Sequence, residues 1–297
     1  MDVTVELDSL KIGKTNVVKN KSVSLGGKAL NVAVGVARLG GEAYVTGLMY
    51  EENGYLFENA LTREGVPHGF VWSPGRTREN YKFIDRRAML TEVNDVGEEI
   101  SEEKAKEVLA CVQSASARSN VTILSGGLPR GIAPSYYGEL ARAVCSNSLK
   151  VVDASGERMF FALKEGADLV KPNLDELEHT LGRRITDKVE MLSACYELLD
   201  RGAKRVLLSL GKQGAVITDG RKTYYCKSIN VAMNSTVGAG DAMVAASAIK
   251  LEQGADIEDI LRSGVAAGTA TVMTIGTVSF EREKYDEVFA SLHVKEL

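Results

Sequence analysis

The chain has 297 residues, of which 44% are hydrophobic and 26% charged. That balance excludes wholesale disorder, a collagen-like repeat and a coiled-coil rod, and the length suits one large α/β domain with an appendage, or two small domains. Thirty-six basic residues against 40 acidic ones give a net charge of −4. Neither half is strongly basic, so neither nucleic acid nor a membrane surface is indicated as a partner.

Residues 3–24 read as extended, because Val3, Val5 and Leu7 alternate with polar positions and Val17, Val18 and Val23 follow a break at Gly13. The same segment mixes Asp2, Glu6 and Asp8 with Lys11, Lys14, Lys19 and Lys21, and has no apolar stretch of signal-peptide type. A helix is predicted from Lys28 to Leu39, with Leu30, Val32, Ala33, Val36 and Ala37 on one broad face and Gly40-Gly41 ending it. A strand follows over 43–49, then a helix over 54–63. Strand character returns over 70–96. Ser101 is an N-cap candidate without a capping box, since Lys104 stands where Glu or Gln is needed. Beyond it, short apolar strands at 121–125, 151–152, 169–170 and 206–210 alternate with helices near 102–117, 134, 157–164, 174–181 and 187–201. That rhythm predicts a parallel sheet covered on both faces. Segments 3–24 and 70–96 are expected to form a small β-sheet outside it. The uncharged run 263–280 carries three glycines and four threonines and predicts a buried helix and turn, not a membrane span. The four cysteines, at 111, 145, 195 and 226, have no zinc or CxxC spacing, so reduced thiols in a cytoplasmic protein are expected.

The sharpest chemical signal is Ser235-Thr-Val-Gly-Ala-Gly-Asp241 followed by an apolar helical run. Gly238 and Gly240 allow a tight turn and close approach to a ligand. The helix start offers free N–H groups and a positive dipole end, which favour a phosphate or a developing oxyanion. Asp241, in the first turn, places a carboxylate beside them. That is the pairing a kinase needs to accept a hydroxyl proton. The same letters also suit a plain glycine turn with Asp241 as a helix-start residue. Ser209-Leu-Gly-Lys-Gln-Gly214 ends a strand with two glycines, which fits a flat ligand or a simple hairpin equally well. In Lys171-Pro-Asn-Leu-Asp-Glu176, Asn173 and Glu176 can face one side of a helix start. That suits Mg²⁺ held through water, or an Asn cap with a solvated Glu. Gly26-Gly-Lys-Ala-Leu-Asn31 opens the first main helix with groups that can grip hydroxyls and an anion.

Taken together, GGKALN (26–31), TREN (77–80), TEVNDVG (91–97), SGGLP (125–129), KPNLDE (171–176), SLGKQG (209–214) and STVGAGD (235–241) resemble the ribokinase-like carbohydrate kinases with phosphofructokinase-B signatures. The resemblance runs in family order over essentially the whole chain. The phosphosugar branch is the nearest: 1-phosphofructokinase, tagatose-6-phosphate kinase and the minor 6-phosphofructokinase. It implies a ribokinase-like α/β fold, with a mostly parallel central sheet, helices on both faces and a small β-sheet lid. The core would take 26–69 and 97–297, and the lid 1–25 and 70–96. It implies Asp241 as catalytic base, with Gly238, Ala239 and Gly240 forming an anion hole. Lys171, Asn173, Ser209, Gly211, Gly214, Thr236 and Thr274 would line the ATP site. Asn173 and Glu176 would place Mg²⁺ indirectly. Asp2, Gly26, Gly27, Lys28, Asn31, Arg78 and Asn80 would hold the sugar, with Arg78 on its phosphate.

Four positions depart from the family pattern. Family members begin with a strand ending in a motif close to N-P-A-L-D; here Asp2 matches the end of that motif and the strand is missing, as expected from a start site assigned too far along. A missing buried strand would leave its neighbours' backbone groups unpaired. Ala29 replaces a glycine and crowds its loop. Gly127 replaces a serine, which removes one hydroxyl contact. Thr274 stands where an asparagine is common. The expected reaction is ATP-dependent conversion of fructose 1-phosphate to fructose 1,6-bisphosphate, with tagatose 6-phosphate or fructose 6-phosphate as rival substrates. The other rivals are a non-catalytic sugar or nucleotide sensor and a nucleoside or simple-sugar kinase. The expected partners are a sugar phosphate, ATP with Mg²⁺, and a second copy of the chain joined through the lid.

Overall fold

The computed structural model describes residues 1–87, 89–231, 237–274 and 280–297. In chain order its first half holds β1 (Asp2–Leu7), β2 (Asn20–Ser24), α1 (Lys28–Arg38), β3 (Val45–Tyr50), α2 (Tyr55–Arg63), β4 (His68–Ser73), β5 (Asn80–Asp85), β6 (Leu90–Asn94), α3 (Glu102–Ser116), β7 (Val121–Ser125), α4 (Tyr136–Ala143) and β8 (Leu149–Asp153). The second half holds α5 (Glu157–Leu163), β9 (Leu169–Val170), α6 (Leu174–Leu181), α7 (Lys188–Asp200), β10 (Val206–Ser209), β11 (Ala215–Thr218), β12 (Thr223–Cys226), α8 (Ala239–Glu252), α9 (Ile257–Met273), α10 (Arg282–Ser291) and β13 (Val294–Glu296).

The main sheet has the order β13-β12-β11-β10-β9-β8-β7. From β7 to β10 it is parallel, as the βα rhythm predicts. From β10 to β13 it is antiparallel. The connection from β10 to β11 is a single 3₁₀ turn over Gly211–Gln213, and a parallel crossover needs a dozen or more residues. Both faces are covered. Val151, Leu169, Leu207 and Ile217 pack in one core cluster with α8, α9 and α10. Their neighbours Val152, Val170, Leu208 and Val216 pack in the other with α3, α4, α5, α6 and α7. The period-two alternation of short apolar strands thus serves two cores at once. α8 lies very close to α9. A Cβ on Gly264 would sit 2.8 Å from Ser247 Oγ, and one on Gly268 2.8 Å from Met243 Cγ. This close contact fixes the start of α8, where Asp241 lies. No described helix is long and apolar enough to cross a membrane.

β3 and β4 pair in parallel as a separate two-stranded sheet. Among the described residues β3 pairs only with β4 and β7 only with β8. A slot lies between them, where the family resemblance places a further strand. A continuous cavity of about 1410 Å³ runs through it, bordered by β3 and β7 along their lengths, by Val32 and Val36 of α1, and by Val112 and Ala115 of α3. Met1 lies at the end of the slot where β3 finishes, packed against Met49 and Phe57. Its ammonium donates to the Arg78 carbonyl at 2.7 Å, and burial pushes its pKa below the usual amino-terminal value.

The small sheet has the order β2-β1-β5-β6. Of the segment 70–96 expected in this sheet, only 80–94 joins it, because 68–73 is β4 and pairs with β3. The register places Val23, Val3, Tyr81 and Val93 in one row across the four strands. Val3, Val5 and Leu7 are buried with Tyr81 and Phe83, whereas the flanking Val23 and Val93 are 53% and 55% exposed.

Candidate active site

The site forms where the carboxyl ends of β7, β8 and β9 meet the starts of α1, α6 and α8. Ligands of open α/β sheets bind at that edge. Gly238 caps α8 in the left-handed region, at φ 81°, with no side-chain bond to the cap. Among the described residues no side chain caps the first N–H groups of α8, which suits them to an anion. Asp241, in the first turn, is 8% exposed, and its Oδ2 accepts from Asn31 Nδ2 at 2.8 Å. Burial raises its carboxyl from 3.8 to about 6; the buried Asp153 charge adds to this, and the Asn31 bond, Lys28 and Lys171 oppose it. A base poised near neutral pH is what proton abstraction from a hydroxyl requires.

Around it lies an ion network. Asp153, 1% exposed, lies 3.1 Å from Lys28 Nζ and 3.4 Å from Lys171 Nζ. Ser125 Oγ donates to it at 3.0 Å. Burial disfavours the Asp153 charge, but the two lysines and the serine outweigh it and hold the carboxyl below its usual range. Burial likewise opposes the Lys28 charge, and Asp153 and Glu176 overcome it, so Lys28 stays protonated. Asp153 Oδ1 accepts no hydrogen bond, so its contact with Lys171 is electrostatic rather than a directed bond. Lys171 also reaches α8: a Cβ on Gly240 would lie 3.4 Å from its Nζ. A buried cation thus stands beside the start of α8.

Asn173 and Glu176 form a reciprocal capping box at the start of α6. Asn173 Oδ1 accepts from the Glu176 N–H at 2.8 Å, and Glu176 Oε2 accepts from the Asn173 N–H at 2.9 Å. Glu176 Oε1 accepts from Lys28 Nζ at 3.3 Å. The cap reading of this pair holds, with the Glu bridged to Lys28 instead of solvated. Both its oxygens are engaged, and no three His, Cys, Asp or Glu side chains gather as a metal cluster among the described residues. Direct coordination of Mg²⁺ by this pair therefore does not fit.

The residues expected on the sugar, Asp2, Gly26, Gly27, Lys28, Asn31, Arg78 and Asn80, border the same cavity as Asp241. Asp2 is held by Lys82 Nζ at 2.8 Å and Asn80 Nδ2 at 3.3 Å. Gly26 lets it approach, since a Cβ there would stand 3.0 Å from Asp2 Oδ2. Asn80 Oδ1 is a buried acceptor with no partner. Such a group costs free energy until a donor reaches it. Lys28, expected on the sugar, borders the cavity and is also tied into the ion network. The described residues expected at ATP are not among those bordering that cavity. Ser209 and Asn173 meet in a parallel bridge at the ends of β10 and β9. Gly211 and Gly214 bracket the 3₁₀ turn of a true hairpin, and Gly214 has no room for a side chain against the Cys226 carbonyl. Thr274 caps α9, with its Oγ1 bonded to the Ala270 carbonyl at 3.1 Å. Thr236 lies outside the described residues.

Asp153 and Arg158 escaped the sequence reading, and Ser125 entered it only as the first residue of SGGLP. Asp153 had a legible signal: a carboxylate ending an apolar strand, at the carboxyl edge of a parallel sheet.

The sequence matches the family described as pfkB family carbohydrate kinase over residues 1–284. A D-tagatose-1-phosphate kinase of Bacillus licheniformis is 32% identical, covering 100% of this chain and 97% of that protein. A 1-phosphofructokinase of Vibrio cholerae is 27% identical over 100% of this chain and 94% of its own length. The crystal structure of phosphofructokinase-2 from Escherichia coli in complex with potassium superposes with a TM-score of 0.87 at 29% identity, over 97% of this chain and 94% of that one.

Proposed function

Because the chain belongs to the pfkB family of carbohydrate kinases, we propose that this phosphosugar kinase transfers the γ-phosphoryl group of ATP to the free primary hydroxyl of a ketohexose 1-phosphate. Fructose 1-phosphate, giving fructose 1,6-bisphosphate, is the favoured substrate. Asp241 carries this reading. Its buried carboxylate, steadied by Asn31, accepts the hydroxyl proton as that oxygen attacks the γ-phosphorus and ADP leaves. The N–H groups opening α8, with Lys171 beside Gly240, offset the charge developing on the transferred group. Lys28 and Asp153 hold Lys171 and the α6 cap in place. Mg²⁺ enters with ATP and neutralises phosphate charge. The relatives named 1-phosphofructokinase and D-tagatose-1-phosphate kinase support this pattern, since their named substrates carry a C1 phosphate and a free C6 hydroxyl; those named 6-phosphofructokinase and tagatose-6-phosphate kinase keep the 6-phosphates as rival substrates. A coupled ADP-release assay across ketohexose 1-phosphates, 6-phosphates and plain sugars tests it. ATP binding without turnover on any of them would favour a sensor.

Arg78→Ala is expected to raise the KM for the sugar phosphate about tenfold or more and leave the KM for ATP nearly unchanged. A charge-assisted contact is worth roughly 1.5–3 kcal/mol. An unchanged sugar-phosphate KM would remove Arg78 from the site.

The lid row ending in exposed Val23 and Val93 favours a second copy packing its lid on the first. A two-fold contact uses the same apolar patch twice. Sedimentation at micromolar concentration is expected to give a dimer, and a clean monomer would rule the lid contact out.

A further inference from the structure

Gly127 follows β7 at a turn that two side chains hold in place. Tyr137 Oη donates to the Gly126 carbonyl at 2.6 Å, and Arg158 Nη1 donates to the same oxygen at 3.1 Å. Arg158 also donates from Nη2 to Ser155 Oγ at 3.4 Å, and its guanidinium lies 5.8 Å above the Tyr137 ring. Arg158, the second residue of α5, is thus pinned in place. Arg78 comes from the other side, from the segment leading into β5. A Cβ on Gly127 would stand 3.5 Å from Arg78 Nη2 and 3.9 Å from Arg158 Nη1. Two guanidinium groups from distant parts of the chain converge on one backbone position that bears no side chain. Both border the substrate cavity. Neither forms an ion pair with a carboxylate among the described residues, although most of the other arginines near carboxylates do.

Two like charges brought together without a counter-ion repel each other. A polyoxyanion between them reverses the sign, and guanidinium forks match its oxygens in pairs. Arg158 spends two of its five donors on Gly126 and Ser155, so N–H groups remain for a ligand. At position 127, where the family pattern has a serine, a bare backbone faces two guanidinium groups. Resting on the sugar-phosphate reading above, we propose that Arg158 and Arg78 together clamp the substrate's phosphate over Gly127. Arg158 is then a specificity determinant for phosphorylated over plain sugars.

The test is Arg158→Gln, which keeps a donor for the Gly126 carbonyl and much of the stem over Tyr137 but removes the charge. Steady-state kinetics with fructose 1-phosphate should show a KM raised about tenfold or more. The kcat and the KM for ATP should stay within about twofold of wild type. Inorganic phosphate, as a competitive inhibitor against the sugar phosphate, should weaken in parallel. Arg158→Lys should fall between the two, and serves if the Gln variant folds poorly. An unchanged sugar-phosphate KM in a protein whose wild type demands a phosphorylated sugar would sink the clamp alone. A wild type that turns over plain and phosphorylated sugars equally would take down the sugar-phosphate reading and the clamp with it. A loss shared equally by the KM for ATP and the thermal midpoint would make Arg158 a structural residue only.

Discussion

Asp241→Asn is expected to lower turnover by about 10²–10⁴, the range for removing a positioned base, with little change in ATP binding. The fold should survive, because an amide fits the same place beside Asn31. The pH dependence follows from a carboxyl raised to about 6. Only the ionised form accepts a proton, so wild-type kcat/KM should fall as pH drops through about 6, and that limb should vanish from the residual activity of the variant. Stability runs the other way. The folded state holds the Asp241 proton more tightly than the unfolded state, so this residue costs nothing at pH below about 4, and an increasing penalty as pH rises to 6. Above pH 6 the penalty reaches up to about 3 kcal/mol. Chemical denaturation at pH 8 should therefore find Asp241→Asn as stable as wild type or more so, with the difference closing near pH 4. Retention of more than about a tenth of wild-type turnover would overturn the assignment of the base.

A second large effect is expected at the slot between β3 and β7. An uncharged, β-branched segment of six residues fused in front of Met1 should enter it parallel to both strands and raise the thermal midpoint by about 5 °C or more. Two open strand edges and two apolar helix faces border the slot, so an inserted strand gains hydrogen bonds on both sides and buries both of its faces. Each such bond nets about 1 kcal/mol, and a gain of 1 kcal/mol moves the midpoint of a chain of this size by roughly 2–4 °C. Fusion also replaces the half-buried Met1 ammonium with a neutral amide. Hydrogen exchange should show new protection at amides of β3 and β7. An unchanged midpoint with those amides still exchanging freely would show that the slot closes by itself.

The βα rhythm, the boundaries of α1, β7 and α6, and the glycine turn before Asp241 were legible because each rests on local rules. Period-two apolar runs, glycines at a helix start and an Asn three residues before a Glu act over a few residues, whatever the rest of the chain does. The seven motifs in order pointed to the family for the same reason. Other features needed the tertiary structure. The sheet turns antiparallel beyond β10 because the hairpin connection is too short to cross over. β4 joins β3 rather than the lid because register and pairing depend on partners remote in sequence. Lys28 reads as a substrate contact from its loop, and only the fold adds that it also pairs with Asp153 and Glu176, 125 and 148 positions away. Arg158 carried no motif at all. Its proximity to Arg78 and Gly127 exists only once β5, β7 and α5 are brought to the same edge of the cavity, and no rule of local spacing encodes that meeting.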